Sequence, residues 1–95
     1  MPRQFALHTN FPNPFNPSTS IEYALPEAAE VELAIYDVLG QKVQPLVCHQ
    51  YQGAGYYRLT WDGSDANGHA VSGGIYFYRL ATQNFTQTRK MILLK

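Results

Sequence analysis

Apolar and polar residues alternate along most of this chain. Ile21, Tyr23 and Leu25 fall on one face of an extended segment, with Ser20, Glu22 and Ala24 on the other, and Pro26 closes the run. Val31, Leu33 and Ile35 alternate with Glu32, Ala34 and Tyr36, predicting a second strand. Asp37-Val38-Leu39-Gly40 reads as a turn, with Gly40 supplying a left-handed position. Gln41 to Val47 returns as a third strand; Pro45 cannot donate to a ladder, so it points to a sheet edge. Cys48 to Gly55 reads as a polar, glycine-containing loop. Tyr57, Leu59 and Trp61 alternate with Tyr56, Arg58 and Thr60 in a fourth strand, and Trp61 is the expected centre of the core. Asp62 to Gly68 is dense in turn formers, and Asn67-Gly68 suits a tight hairpin. A short strand is expected around His69 to Val71. Ile75 to Ala81 is apolar at both parities, as in a strand covered on both faces. Phe85 to Leu94 forms the last strand, after a turn at Asn84.

Turn signals about every 8–12 residues and no helical period predict an all-β fold. The expectation is a seven-stranded antiparallel immunoglobulin-like β-sandwich without a disulfide. Ahead of it, Asn10 to Ser18 carries Pro12, Pro14 and Pro17, which exclude a helix or central strand. This segment should be a stiff extended lead-in, with Phe11 and Phe15 free to dock on the core. Residues 1–9 read as an N-terminal linker and 10–95 as the domain. Met1-Pro2-Arg3-Gln4 is not followed by the apolar run of a signal peptide. The simplest account is a piece of a longer chain with Met1 as an added start.

Composition narrows the chemistry. The chain has 95 residues, room for one domain. Its formal net charge is zero, so it lacks the basic footprint that nucleic-acid binding requires. No apolar run approaches the roughly 20 residues that span a bilayer as a helix. Cys48 is the only cysteine, so the fold must stand without a disulfide or a cysteine metal cluster.

An enzyme needs a nucleophile or metal, a base and a pocket. Cys48 and His49 are neighbours, but adjacent side chains of a strand point apart. Ser64, Asp65 and His69 share one exposed turn, which offers no walls and no oxyanion hole. Asp62, Asp65 and Asn67 are weak candidates for a hard cation, because the distal bidentate Glu of a calcium loop is missing. Turn chemistry explains them without metal. The three His residues lack ligand spacing and are expected at the surface. Gly53-Ala54-Gly55 precedes a strand, whereas a phosphate loop opens a helix. The expected protein is not an enzyme and holds no cofactor. A row of Tyr51, Tyr56, Tyr76 and Tyr78 on one face would instead make a sugar-stacking surface, and core packing is the competing use of those rings.

Five ordered segments resemble a known family. Asn10-Phe11-Pro12-Asn13-Pro14-Phe15-Asn16-Pro17-Ser18-Thr19 is similar to its opening, with Phe11 in place of the usual Tyr. Ile35-Tyr36-Asp37-Val38-Leu39-Gly40, then Trp61-Asp62-Gly63-Ser64-Asp65 with Gly68, match its two strand-and-turn motifs. Ser72-Gly73-Gly74-Ile75-Tyr76-Phe77-Tyr78-Arg79-Leu80 resembles its Ser-Gly-x-Tyr-Phe-Tyr-Arg-Leu, with one extra or substituted position near Gly74. Thr88 to Lys95 resembles its terminal Thr-Arg-Lys-Met-x-Leu-Leu-Lys. The chain thereby resembles, from about residue 7 to its end, the type A C-terminal sorting domain of type IX secretion. Its middle also resembles the immunoglobulin-like domain of the flagellar hook-capping protein.

The resemblance implies a non-catalytic address in Bacteroidetes-like bacteria. An N-terminally fused cargo would cross the periplasm and be passed by outer-membrane translocon or shuttle components to the cell surface or beyond. Arg89, Lys90, Met91, Ile92, Leu93, Leu94 and Lys95 carry over as the recognition segment. Trp61, Gly40, Gly68, Gly73 and Tyr76 carry over as structural positions. No membrane insertion or nucleic-acid partner is implied. The last strand, if an open edge, could accept a partner strand or support a weak homodimer.

Overall fold

A computed structural model describes residues 2–94. It is all-β: β1 (Ala6–Leu7), β2 (Thr19–Leu25), β3 (Ala29–Tyr36), β4 (Lys42–Gln52), β5 (Gly55–Trp61), β6 (Gly74–Ala81) and β7 (Thr86–Leu93). The strands form two sheets, β1-β2-β5 and β4-β3-β6-β7, and every neighbouring pair is antiparallel. This is the expected immunoglobulin-like sandwich, with Cys48 free.

Strict alternation fills the core. Ile21, Tyr23 and Leu25 from β2 face Val31, Leu33 and Ile35 from β3, and all six are buried. Tyr76, Tyr78 and Leu80 from β6 and Met91 and Leu93 from β7 complete the layer. Trp61 sits at the centre as expected, its ring 5.7 Å from Phe15 and 5.5 Å from Tyr76, centroid to centroid. Its indole N–H donates to the Ser64 carbonyl at 2.8 Å, so the one polar atom of the side chain is satisfied.

Four expectations need correction. The stretch Cys48 to Gln52 is strand, not loop: β4 runs through it to Gln52. Its side chains are mostly exposed, so the hydrophobic period is silent there and backbone pairing with β3 decides. The segment His69 to Val71 is not a strand; Ala70 makes only an isolated bridge to Ser64. The seventh strand is instead β1, within the expected linker 1–9, where Ala6 and Leu7 pair with Ala24 and Tyr23. Two residues are too few to show a period. Finally, β6 is covered on one face only: Ile75 is 43% exposed, while Tyr76 and Tyr78 are buried.

The lead-in docks as expected, through one of its two Phe residues. Phe15 is buried, whereas Phe11 is 78% exposed. A small polar knot holds the segment. The Asn10 amide donates to Thr19 Oγ1 at 3.0 Å and to the Pro12 carbonyl at 3.2 Å, and the Thr19 hydroxyl donates to that carbonyl at 2.8 Å.

Candidate functional site

The expected recognition segment lies on β7, and the pleat divides it. Side chains of one parity turn inward: Met91 and Leu93 are fully buried among Trp61, Tyr76 and Tyr78. Arg89, of the same parity, sits half-buried at the sandwich rim, where its Nε–H donates to the Leu7 carbonyl. The other parity turns outward. Lys90 and Leu94 are exposed and Ile92 is half-buried. Across the β6–β7 ladder, Ile75 lies opposite Ile92 and Phe77 opposite Lys90. Ile75, Phe77, Ile92 and Leu94 thus form an apolar patch around one lysine. Lys95 lies outside the described residues.

The edge of β7 is partly closed by the chain itself. The Ile92 N–H donates to Asn13 Oδ1 at 3.1 Å. The Phe15 N–H donates to the Ile92 carbonyl at 2.9 Å, and the Leu94 N–H donates to the Phe15 carbonyl at 2.8 Å. Outward-facing backbone groups recur every second residue, so Thr88 and Lys90 present the next ones. Among the described residues these have no backbone partner outside the ladder. The open edge therefore ends where Asn13 and Phe15 begin, a boundary that the sequence did not reveal.

Two turns share one design. In Asp37 to Gly40 and in Asp65 to Gly68, the Gly N–H donates to the Asp carbonyl at 3.0 Å. In each, the Asp carboxylate accepts N–H bonds from two and four residues on, at 2.9–3.0 Å. Gly40 and Gly68 take φ values of 80° and 83°, which side chains disfavour. In the Gly73-Gly74 pair the positive φ of 145° falls on Gly74, not Gly73. The Tyr76 hydroxyl donates to the Ser72 carbonyl at 2.6 Å, and burial pushes its pKa up.

The carboxylates weighed as metal ligands are occupied by their own loop. Asp62 accepts from the Ser64 hydroxyl and, at 3.1 Å, from the Ser64 N–H. Those bonds hold its pKa below the ordinary carboxylate value. The N–H groups of His69 and then Asn67 do the same for Asp65. Among the described residues, no group of three His, Cys, Asp or Glu side chains is placed to hold a metal ion. Ser64 bonds Asp62 rather than His69, so the Ser64, Asp65 and His69 triad is not assembled.

The bulge in β4 sets Cys48 and His49 together opposite Glu32. His49 takes φ 45° and lies 3.7 Å from Glu30 and 3.6 Å from Glu32, so its partners are carboxylates. All three His residues are exposed, as expected. The four-Tyr surface does not form: Tyr76 and Tyr78 are in the core, and Tyr51 and Tyr56 lie exposed on different sheets. Among the described residues no helix is long and apolar enough to cross a membrane.

Comparison with known proteins places this geometry. A family model described as the FlgD Ig-like domain matches residues 16–85. A search of curated proteins found no match. Among solved structures, dimeric latent PorU from Porphyromonas gingivalis is similar over 90% of this chain and 9% of its own, at 24% identity and TM-score 0.73. PorZ, described as an essential bacterial surface component of the type IX secretion system of the same organism, is similar over 96% of this chain and 11% of its own. Its identity is 15% and its TM-score 0.60. FlgD from P. aeruginosa is similar over 81% of this chain and 64% of its own, at 23% identity and TM-score 0.60. The chain therefore spans only a small part of PorU and PorZ, and these likenesses concern the fold.

Proposed function

The chain belongs to the FlgD Ig-like domain family, and from that premise we propose that it is a non-catalytic sorting module for type IX secretion. The module takes in β1 as well as residues 10–95 and directs an N-terminally fused cargo through the outer membrane. The observation that carries this reading is the order of five sequence motifs ending on β7, where Ile92 and Leu94 join Ile75 and Phe77 of β6 in a patch around Lys90. The likeness in fold to a part of PorZ supports it. Its partners are translocon or shuttle components of the outer membrane, met in the periplasm on the way to the surface. Arg89, Met91 and Leu93 serve by holding the strand, while Lys90, Ile92 and Leu94 are read. The open edge at Thr88 and Lys90 is the place where a partner strand, or weakly a second copy, would add.

The test is a secretion assay with this chain fused to the C-terminus of an exported fluorescent protein, in a bacterium that possesses the type IX apparatus. A second fusion carries Lys90→Ala and Leu94→Ala, both exposed positions whose loss should leave folding intact. Surface delivery of the first, with periplasmic retention of the folded second, is the expected result. Periplasmic retention of the intact folded fusion overturns the sorting reading. Equal delivery of both fusions overturns the assignment of the read surface.

A further inference from the structure

The outer face of the β1-β2-β5 sheet exposes Tyr56, Arg58 and Thr60 around a buried Ala24, and its register lays out three rows. Tyr56 stands opposite Ala24, which pairs in turn with Ala6. Arg58 stands opposite Glu22, whose carbonyl accepts the His8 N–H at 2.9 Å. Thr60 stands opposite Ser20, which is bridged to Phe11. The ends of this face are aromatic and open: Tyr56 is 71% exposed and Phe11 78%. The core closes without either ring, so packing does not explain them. The middle is polar. Arg58 Nε and Nη2 both reach Glu22 Oε2, at 2.8 and 2.6 Å. Glu22 Oε1 remains as an acceptor and the other guanidinium N–H groups remain as donors. Two adjoining depressions, of about 520 and 310 Å³, share Glu22 and Arg58.

We propose that this face binds a neutral oligosaccharide. Tyr56 and Phe11 stack under two of its sugar rings, and the Glu22–Arg58 pair exchanges hydrogen bonds with hydroxyls between them. A sugar ring carries an apolar C–H face and a polar rim, and the sheet offers an aromatic face beside a charge-assisted donor–acceptor pair in the same order. The ligand is neutral because the central charges cancel: an anion would meet Glu22 and a cation would meet Arg58. It is a chain because the aromatic positions stand far apart. Two residue steps per row at about 3.4 Å, and two strand spacings of about 4.8 Å, separate the Tyr56 and Phe11 backbones by roughly 17 Å. Ala6, Ala24, Ser20 and Thr60 are small, so what rises between the rings is the polar middle row of Arg58 and Glu22, with His8 exposed beside it. The face belongs to the sheet opposite β7, so this inference stands apart from the sorting reading.

The test is calorimetric titration of the 95-residue chain with cellohexaose, xylohexaose, laminarihexaose and N-acetylchitohexaose. At least one should bind. Tyr56→Ala and Phe11→Ala should each weaken that binding roughly tenfold, and the double variant should abolish it. Tyr51→Ala, an equally exposed ring on the other sheet, should leave it unchanged. Thermal melts of all variants establish that they fold. Absence of binding to all four sugars, survival of binding in the folded double variant, or an equal loss in Tyr51→Ala overturns the proposal.

Discussion

Phe15→Ala removes a ring that is 1% exposed and packs 5.7 Å from the Trp61 ring. The backbone bonds from residue 15 to Ile92 and Leu94 use main-chain atoms and stay available, so the loss falls on the side chain alone. Lost transfer energy and the cavity beside Trp61 together come to about 3–5 kcal/mol. At about 0.05–0.15 kcal/mol per residue, a domain of this size holds roughly 5–14 kcal/mol in all. With a urea slope of about 1–2 kcal/mol/M, the unfolding midpoint should fall by roughly 1.5–5 M. Phe11→Ala is the control. Its ring is 78% exposed, so its cost should stay within about 0.5 kcal/mol. The assay is equilibrium urea unfolding, followed by the fluorescence of Trp61, the sole tryptophan, and by far-ultraviolet circular dichroism. Equal midpoints for the two variants would refute the argument that Phe15, and not Phe11, is the ring that anchors the lead-in.

Two further outcomes follow from the turn that carries Asp62 to Gly68. Gly63 and Gly68 have nearly equal φ, 80° and 83°, but a Cβ at Gly63 would stand 3.2 Å from the Pro17 carbonyl oxygen, and at Gly68 nothing lies within 4 Å. Gly68→Ala should therefore cost only the left-handed backbone strain, about 1–2 kcal/mol, and Gly63→Ala more. Thermal melts that rank them equal would show that the Pro17 contact yields freely. Asp62 and Asp65 titrate lower in the folded state than the ordinary Asp value. Their contribution is therefore present above the unfolded pKa, near about 4, and is lost as pH falls through the folded values. Asp62→Asn with Asp65→Asn keeps the acceptors and removes the titration, so its melting temperature should fall less than the parent's between about pH 5 and pH 3. Identical acid profiles would remove these two groups from the account.

The elements that sequence alone revealed are those with one face on the core. β2, β3 and β5 each carry a strict period because Ile21, Val31 and Trp61 must be dry and their same-face neighbours are buried or packed against the core. The end of β4 has no such demand. Cys48, His49, Gln50 and Tyr51 are exposed, and only the bulged ladder with β3 makes them a strand. At β6 the sequence misleads in the other direction, since Ile75 and Phe77 look like a second buried face. Within the β7 segment the two parities were legible, but which one faces inward depends on where Tyr76 and Tyr78 lie. The closure of its edge by Asn13 and Phe15 joins opposite ends of the chain, and no local pattern announces such a meeting. The sequence offered Tyr56 as an exposed aromatic but not its shared face with Phe11, because Phe11 reaches that sheet only through an isolated bridge to Ser20.

That meeting of the ends has a consequence for the order of events during synthesis. The bonds from Arg89 to Leu7 and from Ile92 to Asn13 span 82 and 79 residues. Contacts of such separation form only after the intervening chain has paid the entropy of closing a long loop. The lead-in cannot settle, nor Phe15 cover Trp61, until β7 has left the ribosome. A nascent chain stalled before residue 86 lacks Met91 and Leu93 and so has no complete core, and folding waits for the last strand.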